Sequence, residues 1–270
     1  MDHGTPETFG TPSQAAMQAR SWALWRLLRG DARFCCYGRG VAVASAEAAE
    51  VGDQIAVARL IGACACEDIP ADAFGPRKME VEAAGLGTDS YASWVNGPGA
   101  LTLAEALCAD RPLPEGLSLR VVDATTPAAD MAALDALTGS CGVLLPMGAF
   151  LRGQVHPAVC VGAFAEDGTA VACAASVALH HAEGASGDVA WWGMLATRES
   201  HRGAGLALRM GAEALCRMRD RHGKTLFFTG IRAGNAASEA LCRKLGFAPD
   251  SRRILIAIDA GVLGSAQVTR

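Results

Sequence analysis

The residues best suited to chemistry lie between Thr197 and Ala207, in the run Thr-Arg-Glu-Ser-His-Arg-Gly-Ala-Gly-Leu-Ala. A β-rich stretch precedes this run and an amphipathic one follows it, so Gly203 and Gly205 fall in a short turn that feeds a helix. The first turn of a helix leaves backbone N–H groups without intrahelical partners, and the helix dipole adds partial positive charge beside them. Glycines allow an anion close to the backbone, and Arg202 adds a fixed positive charge, so the chemistry is that of holding a phosphate. By itself a strand–turn–helix with two glycines is more often only a tight turn. His180 and His181 end a neighbouring apolar run, with Glu183 and Asp188 close by, and such a pair can take a proton from an ammonium group near neutral pH. A histidine at a strand end is more often simply exposed or hydrogen-bonded. Trp191 and Trp192 are adjacent, which suits one ring in a pocket wall and the other in the core.

Composition bounds the classes of function. The chain has 270 residues, 51% of them hydrophobic and 19% charged, enough for one large or two small cores and too apolar for general disorder. A net charge of −4 gives no basic footprint, so nucleic acid is not an expected partner. The first residues lack a basic and apolar leader, and no run approaches the ~18 apolar residues of a membrane span. A cytoplasmic protein with no membrane partner is the expectation. The 10 cysteines include no C-x-x-C pair, which favours reduced, packed thiols over disulfides or a metal site.

The elements that must position these residues can be read from periodicity. Residues 1–12 read as a loose tail. Gln14 to Leu28 reads as a helix with Met17, Trp22, Trp25 and Leu28 on one face. Phe34 to Ser45 suits a strand broken by a turn, and Gln54 to Ala65 is again strand-like. Between Pro70 and Gly99, prolines and glycines puncture the chain repeatedly, and Leu101 to Cys108 is a short helix. The Pro- and Gly-containing stretch 110–116 is the best linker, dividing a region 13–109 from a domain 117–262, with 263–270 as a tail. Beyond the linker come a strand (Leu117 to Val122), a helix from Thr126-Pro127 to Leu137 with Thr126 as N-cap, and a hairpin (Ala158 to Phe164, Ala170 to Leu179). Then follow a strand (Val189 to Thr197), a helix (Leu206 to Arg221) stopped by Gly223, a strand (Thr225 to Ile231), a helix (Asn235 to Leu245) closed by Gly246, and a strand (Arg253 to Ile258). The order is that of an α+β arrangement.

Thr197 to Ala207 resembles the acyl-CoA-binding motif of the GCN5-related N-acetyltransferases, [Q/R]-x-x-G-x-[G/A], with Arg202, Gly205 and Ala207 at its defined positions. Asn235 to Phe247, an Asn opening a helix that ends in Leu-Gly-Phe, is similar to that family's next element, and one helix and one strand separate the two. The resemblance covers about Leu117 to Asp259. It implies the acyl-CoA N-acyltransferase fold, a mixed, splayed central sheet flanked by helices, here with an additional N-terminal α/β region. It also implies acetyl-CoA as co-substrate and a primary amine of a small molecule, or of a peptide, as acceptor. The parted strands would admit pantetheine, with backbone N–H groups of Leu195, Ala196 and Thr197 pairing to it. Arg202, Gly203, Ala204, Gly205, Leu206 and Ala207 would hold the pyrophosphate, with Asn235 and Ser238 alongside. A backbone donor near Met194 or Leu195 would stabilise the oxyanion as the amine attacks the thioester directly.

Two departures stand out. Many members carry a Tyr seven residues after the Asn, to protonate the leaving thiolate; here that residue is Cys242, a candidate acid if its pKa stays near the ordinary value of about 8.5. Members also often carry a Glu on the strand before the phosphate turn, where Gly193 and Met194 stand here. These departures open an alternative, a non-catalytic acyl-CoA-binding sensor. Met79 to Gly87 faintly resembles a segment of two-part relatives, which would make 13–109 a degenerate acetyltransferase-like half serving as lid or dimerisation surface, and a homodimer is compatible with that reading.

Overall fold

Thr11 decides where the first helix starts: its Oγ1 accepts from the Gln14 N–H while Gln14 Oε1 accepts from the Thr11 N–H, ahead of Pro12. The structure, a computed structural model, describes residues 5–265, 267 and 268. The expected tails fall partly outside those residues, and the described parts are held in place. Glu7 pairs with Arg152, Phe9 is buried, and the Phe9 N–H donates to Gln18 Oε1. At the other end Leu263 is buried and the Val268 carbonyl accepts from Gln14 Nε2.

In chain order the first part contains α1 (Pro12–Leu28), β1 (Phe34–Cys36), β2 (Val41–Val43), α2 (Val51–Ile61), β3 (Ala63–Ile69), α3 (Ala71–Ala83), β4 (Gly87–Asn96) and α4 (Ala100–Asp110). After a coil come β5 (Leu117–Val121), α5 (Ala128–Ser140), α6 (Gly148–Leu151), β6 (Ala158–Ala165), β7 (Ala170–Val177) and β8 (Val189–Thr197). The last elements are α7 (Leu206–His222), β9 (Leu226–Arg232), α8 (Ala236–Lys244), β10 (Phe247–Ile258) and α9 (Ala260–Leu263).

Three expectations are corrected here. The stretch expected to be a strand from Gln54 is mostly the helix α2, whose buried residues Gln54, Val57, Ala58 and Ile61 follow helical spacing. Gln54 disguises that period: it is polar yet fully buried, donating to the Cys64 and Leu255 carbonyls and accepting from Arg77 Nε. The region taken as punctured holds α3, with Pro76 inside it. Pro76 lies on the exposed early turns, where water can take the carbonyl it leaves unpaired. Thr126 does not cap α5; its Oγ1 accepts from the Asp123 N–H, and Pro127 occupies the cap position.

The strands form one ten-stranded sheet in the order β1-β2-β3-β10-β4-β9-β8-β7-β6-β5. Residues 111–116 do join α4 to β5, but they do not separate two closed sheets. β4, from before the coil, lies between β9 and β10, and β10, from the end of the chain, lies between β3 and β4. Each part of the chain thus completes the other. α7 and α4 pack on one face with Trp192, Leu215 and Phe247, and α5 packs on the other through Met131, Leu134 and Leu137. A third apolar cluster joins α1, α2, β3 and β10.

Because the two parts share strands, neither can unfold without exposing edges of the other. Scanning calorimetry of the whole chain is expected to show one transition with matching calorimetric and van't Hoff enthalpies. Two resolved transitions, one per part, would contradict the interlocking.

Candidate active site

β8 and β9 begin as parallel neighbours, pairing Val189 with Leu226, Ala190 with Phe227 and Trp191 with Phe228, and then the pairing stops. β8 stays attached to β7, and β9 to β4, so the two strands diverge and leave a gap between their C-terminal ends. At the start of that gap β8 bulges. Gly193 faces Ala175 and Ala196 faces Cys173, so Met194 and Leu195 together oppose a single residue. Met194 takes a φ of +58°, and it is the single non-glycine residue with positive φ among those described. A bulky side chain seldom sits there without a compensating purpose.

Downstream of the gap, a 3₁₀ turn (Glu199–His201) leads through Arg202 to Gly203 and Gly205, with φ of +83° and +75°, and then into α7. Both glycines use a left-handed backbone that a side chain would strain. Arg202, Gly203 and Ala204 are exposed, and a Cβ on Gly203 would meet nothing within 4 Å. A Cβ on Gly205 would meet Arg111 Nη1 at 3.1 Å, so a second guanidinium stands beside the turn. On the opposite bank Asn235 caps α8, its Oδ1 accepting from the Ser238 N–H at 3.1 Å. The glycine turn and this cap flank the gap, and the bulge lies at its fork.

The gap opens into a cavity of about 260 Å³ lined by Gly193, Met194, Leu195, Asn235, Ser238 and Cys242 on the C-terminal side. Its far wall comes from the N-terminal part, with Tyr37, Arg39, Glu67 and Tyr91. Both Trp191 and Trp192 border it; the Trp191 ring stacks on Tyr37 with centroids 5.2 Å apart, whereas Trp192 is fully buried and its indole donates to the Gly211 carbonyl on the other face. One ring walls the pocket and the other belongs to the core, as alternation along a strand dictates.

Glu67 is a residue that sequence reasoning missed. On β3 it is in phase with Ala63 and Ala65, which also line the cavity, while Cys64 and Cys66 pack into the cluster beneath α2. Glu67 is 4% exposed and its Oε1 has no hydrogen-bond partner among the described residues. Burial lifts its carboxyl to about 7, against the pull of the Arg39 charge and with a small push from Asp68. The strand position where a carboxylate was expected is closed, since a Cβ on Gly193 would stand 2.7 Å from Trp191 Cζ2.

The other proton-transfer candidates fare differently. His180 is buried against Phe228 and burial drops it to about 4, so it is neutral at pH 7; neither it nor His181 lines the cavity. Cys242 does line the cavity, but it is 2% exposed and burial pushes its thiol up to about 12. That corrects the expectation of an acid matched to a thiolate, because protonating a leaving group of ordinary thiol basicity would then run uphill.

A mixed sheet parted between two parallel strands, with a bulge at the fork and a glycine turn opening the next helix, defines the acyl-CoA N-acyltransferase architecture. Residues 143–247 match the acetyltransferase (GNAT) family model. No curated protein matches the sequence. Among solved structures it is similar to a GCN5-related N-acetyltransferase from Kribbella flavida, at 20% identity over 86% of this chain and 81% of that one, with a TM-score of 0.50. It is also similar to a structural-genomics protein from Drosophila, at 15% identity over 81% and 70% of the two chains, with a TM-score of 0.52. At these identities the likeness is one of fold, and a coverage of 86% carries it into the N-terminal part as well. Among the described residues no group of His, Cys, Asp or Glu has the arrangement of a metal site, and no helix is long and apolar enough to cross a membrane.

The lifted carboxyl of Glu67 has a consequence for stability. A folded-state value near 7 against an unfolded 4.5 means the group costs nothing below the lower value, and the cost grows as pH rises through about 7. Glu67→Gln removes a penalty on the order of 3 kcal/mol at pH 8 and much less at pH 5. The variant should therefore melt several degrees higher than the parent at pH 8 and only slightly higher at pH 5. An equal shift at both pH values would show that Glu67 is not held protonated by burial.

Proposed function

We propose that this acyltransferase moves an acetyl group from acetyl-CoA to a primary amine of a small molecule by direct attack in a ternary complex. The observation that carries this reading is the parting of β8 from β9 at the Met194 bulge, beside the Gly203–Gly205 turn. A thioester lying in that gap would have unpaired β8 backbone from Leu195 to Thr197 along one side. Its pyrophosphate would meet the open N–H groups of residues 203 to 207 with Arg202 and Arg111 near, and the Asn235 and Ser238 cap would flank it.

The reacting end then falls in the cavity. Glu67 as carboxylate takes a proton from the acceptor ammonium, and the freed nitrogen lone pair attacks the thioester carbonyl carbon. Negative charge gathers on the carbonyl oxygen, where a backbone N–H of the bulge around Met194 and Leu195 can receive it. The C–S bond breaks, the amide forms, and the thiolate leaves to take its proton from solvent. Cys242 serves as wall, not acid. The modest volume of the cavity, about 260 Å³, favours a small acceptor over a peptide, and a carboxyl near 7 at its far side supplies the base whose absence had favoured a sensor.

Acetyl-CoA is expected to raise the melting temperature, and Arg202→Glu to abolish the shift by placing negative charge beside the pyrophosphate; an unchanged shift would remove the phosphate from this turn. Thiol release in a panel of primary amines should rise with pH through about 7, as Glu67 ionises. Glu67→Gln should erase that limb and lower kcat by roughly 10²- to 10⁴-fold. Cys242→Ala should stay within a few-fold of the parent, and a loss comparable to that of Glu67→Gln would restore Cys242 as the acid.

A further inference from the structure

Two opposite charges face this cavity without satisfying each other. Arg39, on the turn between β1 and β2, donates from Nε to the Leu144 carbonyl at 2.6 Å, and its guanidinium lies over the rings of Trp191 and Tyr37, 5.2 and 5.7 Å from the centroids. Its Nη2 is buried and has no hydrogen-bond partner among the described residues. Glu67 is in the same position, with Oε1 buried and unpartnered. The two are close enough to perturb one another, yet neither makes an ion pair among the described residues. Buried charge is normally paired and hydrogen-bonded, because leaving it otherwise is expensive. A cation and an anion set apart along one wall, each short of a partner, have the pattern of a site for a ligand that carries both charges.

We propose that the acceptor is an α-amino acid with an apolar side chain, its carboxylate on Arg39 and its amine on Glu67. The inference rests on the acyl-transfer reading above and names the substrate class for it. Arg39 is the group that suits a carboxylate: its charge persists through burial, and its planar fork offers donors to two oxygens. The aromatic rings that hold the guanidinium also fix its direction. The amine then meets Glu67, the group assigned above to take its proton, and the two charges of the zwitterion balance those of the wall. The remaining surface presents Ala42, Ala65, Ile254 and Ile256 to an aliphatic or aromatic side chain, and the other charge that lines it, Arg232, is already paired with Asp89.

The test compares matched acceptors in acetyl-CoA-dependent thiol release by the whole chain: the standard apolar α-amino acids, their C-terminal amides, and the amines left by removing the carboxylate. The amino acids should exceed their amides and decarboxylated amines in kcat/KM by on the order of tenfold to a hundredfold, as a charge-assisted pair implies. Arg39→Gln should collapse that ratio, with the loss chiefly in KM, and Arg39→Lys should restore part of it; retention of the acetyl-CoA thermal shift shows that each variant is folded. If plain amines react as well as amino acids, or the ratio survives in Arg39→Gln, the aminocarboxylate assignment falls while acyl transfer stands. If nothing in the panel reacts, equilibrium binding followed by tryptophan fluorescence decides: saturable binding of an apolar amino acid, lost in Arg39→Gln, sustains the site, and no binding overturns it.

Discussion

The structure depends on one constraint, that two parallel strands pair for three residues and then must not pair. Past Trp191 and Phe228, backbone groups of β8 and β9 that would complete a ladder face an opening. Unpaired backbone is costly when it is buried, so the divergence must be enforced from both sides. β7 holds the outer edge of β8 up to Thr197, and β4 holds the outer edge of β9 up to Arg232. The bulge at Met194 turns β8 away at the fork, and Trp192, locked to Gly211 on α7, prevents the strand from rolling back. Gly211 has to be glycine for this, since a Cβ there would stand 2.7 Å from Trp192 Cζ2.

The same constraint explains why the chain is built as two interleaved parts. A sheet that opens in its middle needs support along the flank of β9, and β4 provides it with a ladder from Tyr91 to Val95. β10 then runs between β3 and β4, so the last strand of the chain is anchored in the N-terminal part. Gln54 reinforces the joint from below, binding one carbonyl on β3 and one on β10. An N-terminal part so placed is more than a lid. It closes the cavity and contributes Tyr37, Arg39 and Glu67 to its wall, groups for which the C-terminal part has no equivalents at that position.

What could be read from the residues follows from what is local. A helix N-terminus holds an anion through its own first turn, so Thr197 to Ala207 and the Asn235 cap were legible as a pair, and the longer strands and helices after residue 117 were recognisable from their period, whereas the one-turn helices α6 and α9 and the first half of β10 were not. Glu67 was not legible, because its role depends on β3 lying across the cavity from β8, which no spacing in the sequence encodes. Its phase could have been noticed: Ala63, Ala65 and Glu67 alternate with Cys64 and Cys66. Reading the apolar run from Gln54 as a strand ended it two residues short of Glu67. The buried polar Gln54, satisfied by carbonyls from two strands, hid the helical period of α2, and Pro76 hid α3. The interleaving of β4 and β10 is likewise a property of pairing partners, invisible to a reading that treats 110–116 as a boundary.

The electrostatics of the cavity run against stability and in favour of chemistry. Burial holds Glu67 near 7 and depresses Arg39, and both would be better solvated outside. An apolar pair in their place would pack without any desolvation penalty. The arrangement makes sense where a proton must be exchanged near neutral pH, since an ordinary carboxylate at 4.5 is too weak a base for an ammonium and a fully paired one weaker still. Arg39 keeps the carboxyl from rising so far that it would stay protonated, and because it does not bridge to Glu67 it leaves the carboxylate oxygens without a competing partner. The closed position at Gly193 fits the same logic. With Trp191 filling the space over β8, the proposed base stands on the opposite wall, and β3 is the strand that the interleaved sheet brings there.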